Sequence, residues 1–456
     1  MTSRFKKVPE KFGLLKIGYT GFMERFFKFS EHGTTLKTEV IAGSTTFITM
    51  AYIMVVNPAI LEVAGIPKAQ CTVATILTAF IGTLLMGLYA NRPFAIAPYM
   101  GQNAFVAFTV CRVMGYSWQV ALGGIFISAV IFALLTVLKV RSWLVESIPD
   151  TLKIAFSGGI GLFLTFIGLN ESGLVTLGVP GAPVQVGNIL APTALLALFG
   201  FALMAVLLIR KTTGAFLISI LTVTLLSVVL GYLQLPSQVV SPPPSLDATL
   251  WQMDIWGSLQ PEFWPILLIF FVIIFTDTMG TLIGISYKGG FLDKKGNLPE
   301  IEKPMLCDSI ATMAGAAMGT TTAGAYIESA AGIEAGGRTG FASVVTAVLF
   351  LIALFFVPLF TIIPGYACGP ALMMVGMLMF SPIRALDFDD LTVIIPVFTV
   401  IAMTCFTYNL GVGMTAGFIA YPLVKLAAGR AHEIPKGLWL LTVMSVVFFA
   451  VYPYAK

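Results

Sequence analysis

The sequence predicts an all-α polytopic membrane protein of two seven-span repeats inserted with opposite topology, and three observations predict it. Composition comes first: 57% of the 456 residues are hydrophobic and 11% charged, with a mean hydropathy of +0.93, far from the balance of a soluble domain. Next is a series of apolar runs approaching the roughly 20 residues that cross a bilayer, with basic residues gathered in alternate connections. The third is a pair of spans, the third and the tenth, interrupted by small and polar residues at corresponding places.

Residues 1–38 carry Arg4, Lys6, Lys7, Lys11, Lys16, Arg25, Lys28 and Lys37, with no apolar stretch ahead of a small-residue cleavage site. They read as a cytoplasmic tail, not as a signal peptide. The first repeat, 39–232, holds spans near 39–57, 70–89, 94–112, 117–138, 152–170, 190–210 and 213–232. Its third span, PFAIAPYMGQNAFVAF, contains two prolines and sets Gly101, Gln102 and Asn103 where apolar residues are expected. Residues 233–262 form a polar extracytoplasmic connection without Lys or Arg. The second repeat, 263–428, holds spans near 263–285, 305–318, 326–337, 341–363, 367–381, 391–407 and 409–428. Residues 429–456 add a further apolar run at 437–454.

With the amino end inside, the cytoplasmic connections contain Arg92, Lys139, Arg141, Arg210, Lys211, Lys288, Lys294, Lys295, Lys303, Arg338, Arg384, Lys425, Arg430 and Lys436. The opposite connections are nearly free of basic residues, Lys68 and Arg112 excepted, so the charge pattern predicts a multi-pass cell-membrane protein with a cytoplasmic N-terminus. An odd number of spans per half makes the halves an inverted repeat. Weak internal similarity agrees: Ile148-Pro149 precedes GGIGLFLTFIGL, and Ile363-Pro364 precedes GPALMMVGMLMF.

The stretch GTTTAGAYIESAAGIEAGGRTG, from Gly319 to Gly340, predicts a binding site. Its Gly, Ala and Thr run suits extended backbone that approaches a ligand closely, and Glu328 follows where a half-helix restarts. The other reading is a small-residue packing surface; a carboxylate at membrane depth argues against it. Asn103 holds the corresponding place in the third span. Asp277, between Thr276 and Thr278 in the eighth span, lies too deep to reach either surface and marks an ion or substrate route, or else accepts hydrogen bonds from those threonines. Asp308 caps the ninth span, pairs with Lys303, or transfers protons. Glu334 and Arg338 suit an i,i+4 pair, and Glu39 an interfacial position.

No nucleic-acid partner is predicted, because the basic residues form no stripe. Cys71, Cys111, Cys307, Cys368 and Cys405 stand singly, and His32 and His432 are the only histidines. A zinc cluster or other cofactor is therefore not expected, and no nucleophile-base pair or phosphate loop points to an enzyme.

The segments TEVIAGSTTFITMAYIMVVNPAIL, APYMGQNAF, TDTMGTLIGIS and YIESAAGIEAGGRTG, in that order, resemble the AzgA-like purine permeases. These are a branch of the nucleobase-ascorbate transporter, or xanthine/uracil permease, superfamily, and the resemblance runs from about Glu24 to Lys436. It implies fourteen spans divided into a core (one to four, eight to eleven) and a gate (five to seven, twelve to fourteen), commonly assembled as a homodimer. It further implies that Glu328 hydrogen-bonds a purine nucleobase beside the backbone of Tyr326 and Ile327, and that Asp277 and Asn103 line the same site. Asp308 matches the ninth-span aspartate. Two positions depart from the pattern: Ile274 stands where many relatives have an acid, and Thr281 near the histidine of uracil carriers.

The implied activity is import of hypoxanthine, guanine or adenine. A carboxylate accepts purine N–H groups and an amide both donates and accepts. Because the charged form of a buried carboxylate is costly, Glu328, Asp277 and Asp308 are candidate proton carriers for proton symport. The alternatives are an anion transporter of the sulfate or bicarbonate type, disfavoured by the acidic site, and a channel or membrane enzyme.

Overall fold

The protein was analysed as a computed structural model that describes residues 20–138, 147–179, 182–293 and 297–451. Most of the N-terminal tail, the expected cytoplasmic charges Lys139, Arg141, Lys294 and Lys295, and the last residues of the 437–454 run lie outside the described residues.

Helix α1 (Thr20–Phe27) precedes the first span, which is hinged at Ala51 and Tyr52 into α2 (Leu36–Met50) and α3 (Ile53–Glu62). The second span is α4 (Lys68–Leu88). The third begins as strand β1 (Ile96–Pro98), becomes α5 (Met100–Ala104) and ends as a π-helix over Phe105–Val113. Spans four to seven are α6 (Trp118–Val137), α7 (Asp150–Glu171), α8 (Pro192–Ile209) and α9 (Ala215–Val229). Between the fifth and sixth, β2 (Val175–Val179) and β3 (Ala182–Val186) pair as an antiparallel ribbon that hydropathy does not reveal. In the second half, α10 (Trp264–Gly289) and α11 (Glu302–Met318) lead to the tenth span, made of strand β4 (Ala323–Ala325) and the short helix α12 (Ser329–Glu334). Then come α13 (Gly340–Ala353), α14 (Gly365–Phe380), α15 (Leu391–Phe406), α16 (Leu410–Ala427) and a fifteenth apolar helix, α17 (Lys436–Val451).

Among the described residues nine helices are long and apolar enough to cross a bilayer; the seventh and thirteenth spans are shorter apolar helices. Several starts are set by side chains: Thr35, Ser117, Thr339, Asp390 and Asn409 each accept a hydrogen bond from a first-turn N–H. The two basic exceptions to the charge pattern are held by the protein. Lys68 Nζ donates to Ile363 O at 3.0 Å and Arg112 Nε to Val63 O at 2.7 Å.

The inverted repeat is visible in its contacts. Strands β1 and β4 pair antiparallel, Ile96 with Ala325, Ala97 with Gly324 and Pro98 with Ala323. Each strand is also clamped by one threonine of the span packed beside it. Thr83 Oγ1 receives the Ile96 N–H at 2.8 Å and donates to Ile96 O at 3.1 Å; Thr312 Oγ1 does the same for Ala323, at 3.0 and 2.8 Å. Inside a membrane every backbone polar group needs such a partner, so the interruption is affordable only because the other repeat and these threonines complete it. The fifth and twelfth spans correspond likewise and cross face to face at glycines. A methyl on Gly161 would fall 2.5 Å from Gly376 O, and one on Gly168 2.5 Å from Gly369 O.

The spans pack in two groups, one to four with eight to eleven, and five to seven with twelve to fourteen. Contacts between the groups include the Tyr52 ring on Phe216, Gly101 against Ile160, and Thr109 Oγ1 donating to Tyr408 O at 3.2 Å.

Three expectations are corrected here. Glu39 is not interfacial: it is fully buried, and its carboxylate accepts from the N–H groups of Arg338 (2.8 Å), Thr339 and Ala342 (3.2 Å each), capping α13. Glu334 and Arg338 do not pair. The Arg338 guanidinium instead donates to Ile333 O and Gly337 O, because the turn after α12 folds those carbonyls toward it. Asp308 neither caps a helix nor meets Lys303: α11 starts earlier than expected, leaving Asp308 within it and buried, while Lys303 pairs with Glu300 at 2.7 Å.

Candidate functional site

The two interrupted spans build the site between them. The Tyr326 N–H continues the β1–β4 ladder to Ala95 O at 2.9 Å, Tyr99 N–H reaches Thr322 O at 3.0 Å, and Ala95 N–H donates to Ser329 Oγ at 2.9 Å. Glycine is required at 324, since a methyl there would lie 2.2 Å from the Tyr99 hydroxyl oxygen. Gly332 serves the same end on α12, where a methyl would meet Thr46 Oγ1 at 2.0 Å and Ala42 O at 2.6 Å. That close approach lays α12 on the first span and brings Tyr52 to Glu328.

Glu328 stands where α12 begins, partly exposed, with Tyr52 Oη donating to its Oε1 at 2.6 Å. Among the described residues no other side chain donates to this carboxylate. Neighbouring Ile327 is 57% exposed, and its N–H donates to no backbone carbonyl, whereas that of Tyr326 is taken by Ala95. Of the two backbone positions predicted beside Glu328, only Ile327 therefore has an N–H without a backbone acceptor among the described residues. The Tyr326 ring is buried, donates through its hydroxyl to Pro98 O, and stacks on Tyr99 with centroids 6.2 Å apart.

The second acidic group is Asp277 of the eighth span. Asp277 Oδ2 accepts from Gln102 Nε2 at 3.0 Å, and not from the adjacent threonines; Thr276 donates to Val272 O. Tyr99 lies within electrostatic reach of Asp308 and Asp277, with the Thr278 and Thr281 hydroxyls near its own. Asp308 lies near Thr278 and the Ala325 N–H, yet neither carboxylate oxygen is in full hydrogen-bond geometry with a partner. Asn103 Oδ1 accepts from Thr321 Oγ1, tying the third span to the tenth, and its Nδ2 has no partner.

Buried polar atoms without partners gather here: Gln102 Oε1, Asn103 Nδ2, Thr278 Oγ1, Thr322 Oγ1 and both oxygens of Asp308. Leaving such atoms unpaired costs stability unless water or a ligand meets them, so their concentration around the paired breaks makes this the candidate site. The structure thus brings Asn103, Asp277, Asp308, Tyr326, Ile327 and Glu328 around one pair of strands. Sequence reasoning missed Tyr52, Tyr99 and Thr321, and named Gln102 without assigning it. Gln102 was legible as a polar residue in an apolar span, but nothing along the chain links Tyr52 to Glu328.

The sequence pattern of the permease family matches residues 37–418. The chain is 45% identical to a putative permease of Methanocaldococcus jannaschii, over 94% of this chain and 97% of that protein. It is 41% identical to the adenine permease AdeP of Escherichia coli K12, covering 94% and 96%. Identity to the guanine/hypoxanthine permease PbuG of Bacillus subtilis is 38%, covering 94% and 99%. Among solved structures, the transmembrane domain of the cyanobacterial bicarbonate transporter BicA superposes with a TM-score of 0.60 at 16% identity, covering 84% of this chain and 97% of that one.

Proposed function

We propose, from the premise that the chain belongs to the permease family, that it imports purine nucleobases (hypoxanthine, guanine or adenine) by proton symport. Relatives matched along almost their whole length are named for those bases. The observation that carries the reading onto this chain is Glu328, a carboxylate held through one oxygen by Tyr52 with acceptor capacity left over, beside the Ile327 N–H. A purine edge presents N–H donors next to ring-nitrogen or carbonyl acceptors, and this pair matches such an edge.

Asn103 takes a narrower role than its amide suggests. Its oxygen is engaged by Thr321, while the Nδ2 donor has no partner and is the group proposed to read an acceptor on the ring. Asp277 and Asp308 are the proposed proton carriers, with Glu328 as the third; a carboxylate buried without a cation is stable when it holds a proton. Residues 39–232 and 263–428 are the proposed repeats, with the amino end cytoplasmic and the protein a homodimer.

The BicA likeness offers an anion as the second reading. A carboxylate at Glu328, where the ligand is proposed to sit, disfavours an anion, and the likeness concerns fold. The deciding experiment is uptake of labelled hypoxanthine against excess adenine, guanine, xanthine, uracil, sulfate and bicarbonate. Competition by purines alone supports the proposal; competition by the anions alone replaces it with the second reading.

A further inference from the structure

Tyr52 touches both packing groups at once. It sits at the hinge between α2 and α3, is 1% exposed, and donates to Glu328 Oε1 at 2.6 Å. The opposite face of the connection is its ring, which lies on Phe216 of α9 with centroids 4.8 Å apart and planes 24° from parallel. Phe216 is itself buried, and belongs to the group that does not contain Glu328. Nearby, Gly214 at the start of α9 touches Ile48 of the first span, so the ring stack is part of a continuous seam.

We infer that Tyr52 is a positioning residue that makes the acceptor capacity of Glu328 depend on whether the seventh span lies against the first. With the seam closed, Phe216 holds the Tyr52 ring in place and the hydroxyl occupies one lone pair of Oε1. The carboxylate is fixed in orientation, and its remaining acceptor positions face the ligand. If the groups separate, the ring loses its support, the hydroxyl is released, and Glu328 gains both rotational freedom and a vacant acceptor position. The hydrogen bond is short and to a carboxylate, the kind whose removal is felt most strongly. The stack contributes only while the seam is closed. Movement of one group against the other is thereby conveyed to the ligand carboxylate through a single side chain. The ligand part of this inference rests on the proposed purine site; the link from Phe216 through Tyr52 to Glu328 does not.

A ligand-independent readout separates the two. Hydrophobic carbodiimides modify buried carboxyl groups in their protonated form, and a hydrogen bond donated to the carboxylate slows that reaction by favouring the charged form. In purified protein, Tyr52→Phe, which keeps the ring, should speed carbodiimide modification of Glu328 several-fold, as read by mass spectrometry of the peptide. Phe216→Leu should fall between that variant and the wild type, and Phe216→Tyr, which retains the stack, should match the wild type. Size-exclusion profiles establish that each variant is folded. Tyr52→Phe should also weaken equilibrium binding of labelled hypoxanthine about tenfold, the effect of one hydrogen bond to a charged group. Modification of Tyr52→Phe or of Phe216→Leu at the wild-type rate overturns the inference. A wild-type protein that binds none of hypoxanthine, guanine and adenine overturns the purine reading instead, and the modification rates still decide the role of Tyr52.

Discussion

Replacing Glu328 by glutamine changes one heavy atom and tests the whole site. The glutamine keeps one oxygen, which can continue to accept from Tyr52 Oη where the 2.6 Å bond now lies, so the hinge of the first span keeps its support. The other oxygen becomes an NH2 group facing the ligand. One charge-assisted bond to a purine N–H is lost, at roughly 1.5–3 kcal/mol, and two donors are set against each other, which leaves a buried N–H unpaired at roughly 1–3 kcal/mol more. Together these come to about 2.5–6 kcal/mol, or roughly two to four and a half orders of magnitude in affinity. The assay is initial-rate uptake of labelled hypoxanthine in cells lacking their own purine carriers, normalised to the amount of variant in the membrane. Uptake within threefold of the wild type at low substrate concentration would refute the assignment of Glu328, whatever else the protein carries.

Four further outcomes are expected. A protonophore should collapse purine uptake while removal of sodium leaves it unchanged; uptake that follows the sodium gradient rejects proton symport. Asn103→Ala should shift the relative affinities of adenine, guanine and hypoxanthine by about 1–3 kcal/mol, because it removes one unpaired donor. Asp277→Asn should lower transport of every purine and flatten its pH dependence; matched uptake curves over a range of pH distinguish these roles, and equal scaling of all bases by Asn103→Ala defeats them. Glu39→Ala orphans the N–H groups of Arg338, Thr339 and Ala342, costing about 3 kcal/mol or more in the interior. The melting temperature of the purified protein should fall by several degrees, with a smaller fall for Glu39→Gln, and an unchanged value shows that water replaces the carboxylate.

Much of this architecture could be read from the chain because a bilayer is a demanding solvent. Apolar length, basic connections and two interrupted spans follow from the cost of exposed polar groups in hydrocarbon, so they leave marks along the sequence. Glu328, Asp277 and Asn103 stood out for the same reason, as polar residues among apolar ones. What could not be read depends on contacts between distant positions. Glu39 looked like any carboxylate near a membrane surface, and only the folding of α13 onto α2 buries it. Asp308 was misplaced because a helix start was read several residues late, and that displacement turns a cap into a buried acid. Thr83 and Thr312 are ordinary threonines until their neighbouring strands are in place.

The pairing of β1 with β4 also bears on how the chain is made. Synthesis delivers Ile96 long before Ala325 exists, so the third span enters the membrane with one edge of its strand unmatched. During that interval only Thr83, already present in the preceding span, can meet the Ile96 backbone. The first half cannot reach its final shape as an independent module, and a chain truncated before the tenth span leaves a sticky strand edge inside the bilayer.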